Sequence, residues 1–289
     1  MRLAIGTAQF GRGYGVANKG GKVISSEIKK IFKIADENNV RMFDTAEDYG
    51  DSEEIIGKMS DGLGMDADVI TKVFINPEDR DGFYKRLESS LKALRTESVY
   101  GLLSHDPSMF IEDSRVFSMI KSAKERGAAR KIGVSVFTPE QANMIVEKYD
   151  VDIIQVPCNL LDQRFISSNT IKDLVGSGIE VHVRSIFLQG LFFTDNPDRY
   201  FDDIKDNLRD IRLFAGEKSM SVGKMALGFV KSIPGVSRII VGMDNSDQFI
   251  KIIDDYNSYT HSYDFSGFSI DDDRFINPGK WNVGGWHKS

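Results

Sequence analysis

Residues 132–156, IGVSVFTPEQANMIVEKYDVDIIQV, contain the pattern that decides the fold: an apolar run, a helical segment and a second apolar run. The runs Ile132–Val136 and Ile153–Val156 are short and rich in β-branched residues, as is typical of strands buried on both faces. Between them, Thr138 followed by Pro139 is a helix-start signal, because threonine caps helices and proline is favoured in the first turn. The segment therefore predicts two parallel strands joined by a helix.

The same alternation of strand and helix patterns continues along the rest of the chain. Further apolar runs are found at Leu3–Gly6, Met42–Thr45, Val69–Phe74, Val99–Ser104, Val181–Phe187 and Ile239–Gly242. Amphipathic helical patterns are found at Ser26–Asn38, Phe83–Leu94, Val116–Arg126, Pro139–Tyr149 and Phe249–Tyr256. Eight strand-like runs in this order predict an α/β protein of the (β/α)8 TIM-barrel type, because eight parallel strands close into a barrel.

A doubly wound open sheet is the rival architecture, and the sequence supports it less well. Such a sheet normally carries a G-x-G-x-x-G turn that opens a helix, whereas the segment Gly11–Gly15, GRGYG, does not lead into a helical pattern. The chain shows no linker composition, so residues 1–289 are predicted to form one domain. The irregular tail Thr260–Ser289 is expected to lie over the substrate face of the barrel.

Composition and charge exclude several classes of protein. The 289 residues are 41% hydrophobic and 28% charged, which is ordinary globular composition. A net charge of -6 argues against a general nucleic-acid binder, which needs a basic surface. The single cysteine, Cys158, cannot form an intrachain disulfide, and no run approaches the roughly 18 apolar residues of a membrane helix. We therefore expect a cytoplasmic protein that acts on a small molecule, with no indication of its oligomeric state.

Ionisable residues follow three neighbouring predicted strands. Asp44 lies in the second run with Tyr49 five residues later, Lys72 lies near the end of the third, and His105 follows the fourth. These strand ends meet at one face of a barrel, so we expect the four side chains to lie close together. A lysine cation beside Tyr49 is expected to lower its pKa from the ordinary value of about 10, which would make the phenol a better acid. The set predicts proton donation to a carbonyl oxygen that His105 could also hydrogen-bond.

Each of these residues, taken singly, has a structural explanation as well. Asp44 and Lys72 could form an ion pair between adjacent strands. Tyr49 could be a loop aromatic, and His105 could cap a turn. Lys72 could also form a Schiff base in a barrel lyase or epimerase, although Asp44 should keep it charged. The clustering on consecutive strands favours the proton-donor interpretation.

The same residues resemble those of the aldo-keto reductase family, over roughly residues 2–255. Residues 43–53, FDTAEDYGDSE, are similar to the family signature that holds its catalytic aspartate and tyrosine. Residues 70–72, ITK, and 103–105, LSH, are similar to the strands that hold its lysine and histidine. The resemblance implies that Tyr49 is a general acid, supported by the aspartate, lysine and histidine. It also implies an NAD(P)H-dependent oxidoreductase that reduces an aldehyde or ketone.

The resemblance also implies a set of cofactor contacts at the strand ends. They are Gly6, Thr7, Ser135, Gln155, Arg184, Ser185, Leu188, Gly190, Gly242, Met243 and Gln248. Ser135 and Gln155 match residues that hold the nicotinamide carboxamide, and Val136 replaces an asparagine of that group. Arg184 replaces a tyrosine that stacks on the nicotinamide, and it could instead form an ion pair at the barrel rim. Asp244 stands where many members carry a basic residue against a 2′-phosphate, so NADP(H) is expected with NAD(H) as the alternative.

Several phrases resemble bacterial family members associated with sugar and surface-polysaccharide metabolism, among them residues 6–11, GTAQFG, and 159–164, NLLDQR. A sugar-related carbonyl substrate is therefore expected. Its pocket could be lined by Asn159, Arg164, Trp281 and Trp286, or the tail could simply pack on the barrel and close it. The rival function is a nicotinamide-binding sensor or partner-binding module with little turnover.

Overall fold

The computed structural model describes residues 1–281 and residue 283, and within them eight parallel strands form a closed barrel. The strands are β1 Leu3–Gly6, β2 Met42–Asp44, β3 Asp68–Val73, β4 Val99–Ser104, β5 Ala129–Ser135, β6 Ile153–Pro157, β7 Glu180–Arg184 and β8 Val236–Val241. Each strand pairs with the next one along the chain, and β8 closes the barrel on β1 with Ile240 opposite Ala4. The predicted (β/α)8 barrel is confirmed.

Helices surround the barrel and connect its strands. They are α1 Ala8–Gly11, α2 Ser25–Glu37, α3 Ser52–Leu63, α4 Arg80–Leu94, α5 Pro107–Glu112, α6 Ser114–Glu125, α7 Pro139–Lys148, α8 Arg164–Ser167, α9 Thr170–Gly176, α10 Lys205–Glu217, α11 Val222–Ser232, α12 Ser246–Ser258 and α13 Asp273–Ile276. Short 3-10 helices lie at Leu188–Phe193, Arg199–Ile204, Ser266–Phe268 and Pro278–Lys280. The start of α7 is the predicted one: Thr138 Oγ1 accepts a hydrogen bond from the Gln141 amide, and the Gln141 side chain accepts one from the Thr138 amide. None of the helices within the described ranges is long and apolar enough to cross a membrane.

The seventh predicted strand run, Val181–Phe187, extends beyond the observed end of β7 at Arg184. The chain leaves the sheet there because Ser185 has a φ of 60°, in the left-handed region that no strand residue adopts. The next residues form a loop at the barrel rim. Arg184 is therefore the last strand residue below that rim.

Strand alternation places polar residues on the inner face of the barrel, because residues two apart in a strand point to the same side. One buried apolar cluster inside the barrel consists of Ala4, Met42, Ile70, Leu103, Ile153 and Ile240. Two residues further along β2, β3 and β6 stand Asp44, Lys72 and Gln155, and all three are buried. The barrel therefore carries a polar layer directly above an apolar one, at the C-terminal ends of its strands.

The described part of the C-terminal tail packs against the segments that follow β6 and β7. The Ile270 amide donates to the Leu161 carbonyl at 2.9 Å. Trp281 is fully buried, its ring centroid lies 4.9 Å from that of Phe201, and its indole N–H donates to the Phe275 carbonyl at 3.1 Å. This part of the tail therefore contributes to the hydrophobic core.

Candidate active site

A cavity of about 970 Å³ opens at the C-terminal end of the barrel. This volume lies near the top of the range of about 300–1,000 Å³ typical of small-molecule sites. Asp44, Tyr49, Lys72 and His105 all line it. The implied cofactor residues that also line it are Gly6, Thr7, Ser135, Gln155, Arg184, Ser185, Gly190, Gly242, Met243 and Gln248. The structure thus brings these residues together, while their roles stay predictions.

Asp44 and Lys72 form a buried ion pair at the floor of the cavity. Lys72 Nζ donates to Asp44 Oδ1 at 2.8 Å and to the Thr45 carbonyl at 2.9 Å. Gln155 Nε2 donates to the other carboxylate oxygen of Asp44 at 2.7 Å. Lys72 is 2% exposed and Asp44 is 5% exposed, so water screens neither charge. Removal of one partner would leave the other charge buried and unpaired, which is costly.

Tyr49 and His105 lie beside this pair. Lys72 Nζ is 5.5 Å from the centroid of the Tyr49 ring, and the His105 ring centroid is 6.2 Å from it in an edge-on arrangement. His105 Nδ1 lies 3.7 Å from the Asp48 carboxylate. Burial, and then the charge of Lys72, lower the pKa of His105 to about 4. The imidazole is therefore neutral at neutral pH and offers one N–H donor.

The proton affinity of Tyr49 is set mainly by its surroundings in the cavity wall. Burial raises the pKa of the Tyr49 phenol above its ordinary value, and the carboxylates of Asp44 and Asp48 raise it further. The guanidinium groups of Arg184 and Arg12 lower it, by less. The expectation that the neighbouring lysine brings this pKa down is wrong in this structure, because burial and the nearby carboxylates outweigh the cations. The phenol keeps its proton at neutral pH.

Arg184 is held by neutral groups. Its Nε donates to Ser135 Oγ at 3.2 Å, one terminal nitrogen donates to Ser185 Oγ at 3.2 Å, and the other donates to the Val136 carbonyl at 3.0 Å. Its Cζ lies 4.8 Å from the centroid of the Phe137 ring. Within the described ranges no carboxylate oxygen lies within 4.0 Å of it, so the rim ion pair considered from the sequence is absent there. The planar cation is instead fixed at the cavity wall.

The same wall has features that fit a nicotinamide dinucleotide. Ser135 Oγ donates to Gln155 Oε1 at 3.1 Å, which places a hydroxyl and an amide side by side, as a carboxamide requires. A Cβ on Gly242 would lie 2.7 Å from Gln9 Nε2, so a larger residue at this position would displace the Gln9 side chain. In the described part of the chain, no group of three or more His, Cys, Asp or Glu side chains is arranged to hold a metal ion.

Carboxylates surround the loop after β8 and the start of α12. Asp244 accepts a hydrogen bond from Asn18 Nδ2 at 3.1 Å, and its own amide donates to Gln248 Oε1 at 2.8 Å. The amide and the hydroxyl of Ser246, at the first turn of α12, both donate to Glu27 Oε2, at 2.8 and 2.7 Å. Hydrogen bonds from a neighbouring lysine and from Ser246 lower the pKa of Glu27 to about 2. The donors at this helix N-terminus therefore already hold an ionised carboxylate.

The loop after β1, residues 12–21, crosses the cavity to the loops after β7 and β8. The Val16 amide donates to the Gln189 carbonyl at 3.0 Å. Gly190 has a φ of 87°, and a Cβ there would lie 2.6 Å from the Ala17 Cβ. Both the backbone conformation and the close approach require glycine at this position. The first loop and the seventh loop therefore form one wall of the cavity.

Leu188 is the exception among the implied cofactor residues, since its side chain does not line the cavity. It is fully buried in the hydrophobic core. Its φ of 45° and that of Gln189, 54°, are both in the left-handed region and direct the chain away from an ordinary strand-to-helix loop. The side chain of Leu188 therefore has a core role, and its assignment to the cofactor site gains no support from the cavity wall.

Three of the four residues expected to form a sugar pocket also lie outside the cavity wall. Asn159, Arg164 and Trp281 do not line it, and Arg164 Nε donates to Asp162 at 2.8 Å instead. Trp286 lies outside the residues that the structure describes. Pro278 and Gly279 bring the tail to the cavity.

Two residues of the first loop that sequence reasoning missed line the cavity, namely Arg12 and Tyr14. Arg12 Cζ lies 5.0 Å from the centroid of the Tyr49 ring and 5.7 Å from that of the Tyr14 ring. Gln189 Nε2 donates to Tyr14 Oη at 3.3 Å, and burial raises the pKa of Tyr14 to about 12. The available signal was a cation and an aromatic residue in GRGYG, a few residues after a strand end.

The fold and these side chains define a class of protein: a (β/α)8 barrel with an aspartate, a lysine, a tyrosine and a histidine gathered in a cavity at the C-terminal face. Residues 2–266 match the model of the Aldo/keto reductase family. The chain therefore belongs to the aldo-keto reductase family.

Two curated relatives agree with this assignment, and a solved structure has the same fold. The chain is 27% identical to oxidoreductase YdhF of Escherichia coli (strain K12) over 168 residues, which cover 57% of this chain and 54% of that protein. It is 29% identical to aldo-keto reductase YhdN of Bacillus subtilis (strain 168) over 161 residues, 52% of this chain and 48% of that protein. The match thus spans about half the length of these relatives. The structure of aldo-keto reductase AKR11C1 from Bacillus halodurans has the same fold, with a TM-score of 0.73, 18% identity, and coverage of 90% of this chain and 88% of that chain.

Proposed function

We propose that the protein is an oxidoreductase that reduces an aldehyde or ketone to an alcohol with a nicotinamide dinucleotide. The observation that carries this proposal is the placement of a protonated Tyr49, a neutral His105 and the buried Asp44–Lys72 pair in one cavity. A carbonyl oxygen between the phenol and the imidazole would meet two uncharged donors. Membership of the family supports the same class of reaction.

The residues of the cavity wall fit the cofactor that this reaction needs. When bound, the dinucleotide would supply a hydride to the carbonyl carbon. Ser135 and Gln155 would hold its carboxamide, and the guanidinium of Arg184 would face its ring. Gly6 and Gly242 line the cavity next to β1 and β8 and would contact it through their backbone.

The chain's own residues would manage the proton. The N–H of His105 would orient the carbonyl by a hydrogen bond to its oxygen. As the carbon accepts the hydride, the oxygen would take the proton of Tyr49 and leave a phenolate. The Lys72 ammonium lies 5.5 Å from the centroid of that ring, and its hydrogen bond to Asp44 fixes this cation next to the developing charge. General-acid assistance of this kind contributes about 10²- to 10⁴-fold to the rate.

The form of the cofactor depends on the loop after β8. The resemblance favours NADP(H), whereas the structure adds support for the NAD(H) alternative. Asp244 and the ionised Glu27 lie where a 2′-phosphate would need cations or free helix N–H groups. Arg212 and Lys251 are cations that also line the cavity.

A parallel fluorescence titration with NADPH and NADH tests the proposal, followed by turnover assays with a panel of aldehydes that includes a sugar aldehyde. We expect at least one cofactor to bind and to be oxidised by an aldehyde. A sugar-related substrate is one member of the panel to test, and Asn159, Arg164 and Trp281 lend it no support from the cavity wall. If neither cofactor binds at millimolar concentration, the proposal fails.

A further inference from the structure

Arg12, in the GRGYG segment, has no part in the proton transfer described above, yet it is fixed beside the reacting tyrosine. A Cβ on Gly11 would lie 1.6 Å from the Tyr49 carbonyl oxygen, so the two backbones are in direct contact. Gly50 has a φ of 60°, and a Cβ there would lie 2.5 Å from the Gly11 carbonyl oxygen. These glycines hold the first loop against the Tyr49 turn. Arg12 Cζ is consequently placed 5.0 Å from the centroid of the Tyr49 ring.

The hydrogen-bonding capacity of Arg12 is largely unused within the described ranges. One terminal nitrogen donates to the Asp48 carbonyl at a long 3.3 Å. Its Nε is buried and meets no acceptor there, and no carboxylate oxygen lies within 4.0 Å of the guanidinium. By contrast, Arg115 on the surface contacts the carboxylates of both Asp113 and Glu78. Buried donors are normally paired, so the buried Nε of this half-buried side chain calls for an acceptor from a bound molecule.

The charges at this end of the cavity point to the kind of acceptor. Among the described residues that line it there, the cations Arg12, Lys72 and Arg184 accompany one carboxylate, that of Asp44, and a second carboxylate, that of Asp48, lies 3.7 Å from His105 Nδ1. Lys72 takes that carboxylate, and Arg184 binds only neutral oxygens, while His105 is neutral. The excess is positive in a protein whose net charge is -6. A guanidinium with free N–H groups matches the planar shape of a carboxylate, with which it can form two parallel hydrogen bonds.

We infer that Arg12 binds a carboxylate of the substrate, so that the preferred carbonyl compounds are aldehyde or keto acids. The inference rests on the proposed function for its catalytic readout, because the carboxylate would be held next to the carbonyl that Tyr49 protonates. Because Arg12 lies so close to Tyr49, the carboxylate and the carbonyl of the substrate would be separated by only a few bonds or one ring. Arg12 would thereby set substrate specificity.

Matched pairs of aldehydes test this inference. The probes are 3- and 4-carboxybenzaldehyde and the corresponding carbamoyl compounds, which have nearly the same shape and lack the charge. The wild-type protein should prefer the acid of at least one pair by about tenfold or more in kcat/KM, the size of one charge-assisted hydrogen bond. Arg12→Gln should abolish that preference, mainly through KM, and Arg12→Lys should restore part of it.

Lys22→Gln is the matched control, because Lys22 directly follows the same loop and pairs on the surface with Asp51. It removes the same charge and should leave unchanged the ratio of kcat/KM for the acid to kcat/KM for the amide, called the acid-to-amide ratio below. The ratio cancels any general effect of a variant on turnover. An unchanged ratio in Arg12→Gln, or a wild-type preference for the amides, overturns the inference. A loss of NADH or NADPH affinity in Arg12→Gln with an unchanged ratio would mean that Arg12 binds the cofactor instead.

A binding arm separates this inference from the proposed function. Benzoate and benzamide are titrated into the wild-type protein and Arg12→Gln by calorimetry, with a thermal melt of each to confirm folding. Benzoate should bind to the wild-type protein at least about tenfold more tightly than to Arg12→Gln. This difference in affinity should shrink as the salt concentration is raised. If no aldehyde is reduced but this difference is found, the anion site stands and the oxidoreductase proposal fails. If aldehydes are reduced and benzoate binds equally well to the wild-type protein and Arg12→Gln, the anion site is refuted and the oxidoreductase proposal stands.

Discussion

The two ends of the cavity differ in charge and in how they are built. At the end near Tyr49, Asp44, Lys72 and Gln155 come from the inner faces of strands and form a closed hydrogen-bond network with an excess of cations around it. At the end near α12, loop and helix residues meet, and carboxylates such as Asp244 and Glu27 hold the available donors. The buried Asp44–Lys72 pair is therefore positioned by strands, whereas the groups that the proposed function assigns to cofactor preference are carried by loops.

The largest effect should follow from Tyr49→Phe, which removes the proton donor and keeps the ring. We expect kcat to fall by about 10²- to 10⁴-fold while cofactor affinity stays nearly unchanged, since the hydroxyl acts in proton transfer. Tyr100→Phe is the control, because Tyr100 hydrogen-bonds Glu180 and does not line the cavity. Full turnover by Tyr49→Phe would refute the role of Tyr49 as acid.

Asp44→Asn tests whether the strand-built end depends on its buried pair. The substitution leaves the Lys72 ammonium buried without a counter-ion, so we expect the free energy of unfolding to fall by about 3–5 kcal/mol in urea denaturation. Asp61→Asn, which breaks the exposed pair with Arg95, should cost about 0–1 kcal/mol. Equal losses in the two variants would remove the distinction between the two kinds of pair.

Asp244→Arg should change the loop-built end without disturbing the chemistry. We expect the affinity for NADPH relative to NADH to rise by about tenfold, because an arginine can pair with a 2′-phosphate. Asp254→Arg makes the same change of charge at an exposed position of α12 that does not line the cavity. The prediction fails if both variants shift the ratio equally, since that would be a general charge effect.

The smallest effect concerns the pH dependence of His105. With a pKa of about 4 in the folded protein against about 6.5 in an unfolded chain, the unfolded state alone binds this proton between those values. Stability should therefore rise with pH from about 4 to about 6.5 through this group and show no contribution from it above that range. NMR titration of the His105 ring should give a midpoint near 4, and a midpoint near 6.5 would show that burial does not govern the group.

The strand-built end is the part that could be predicted from the sequence. Periodicity identifies the strands, and residues at their C-terminal ends must converge in a barrel, so Asp44, Lys72 and His105 follow from local patterns. Tyr49 follows from the motif that surrounds it.

The loop-built end depends on information that no local pattern carries. Leu188 turns into the core because of a left-handed backbone conformation that a leucine seldom adopts. Ser246 meets Glu27 across 219 residues of sequence, and Arg12 reaches Tyr49 through the packing of Gly11 against Gly50. The raised pKa of Tyr49 does not follow from the sequence for a related reason: burial is a property of the assembled wall.

The hydrogen bond between Asn18 and Asp244 joins residues that are 226 positions apart. It lies next to the pairing of β1 with β8, which closes the barrel. A chain still emerging from the ribosome therefore cannot complete this site until its eighth strand has been synthesised. The closure of so long a loop also predicts slow folding, because the entropy of joining distant segments is lost before their contacts form.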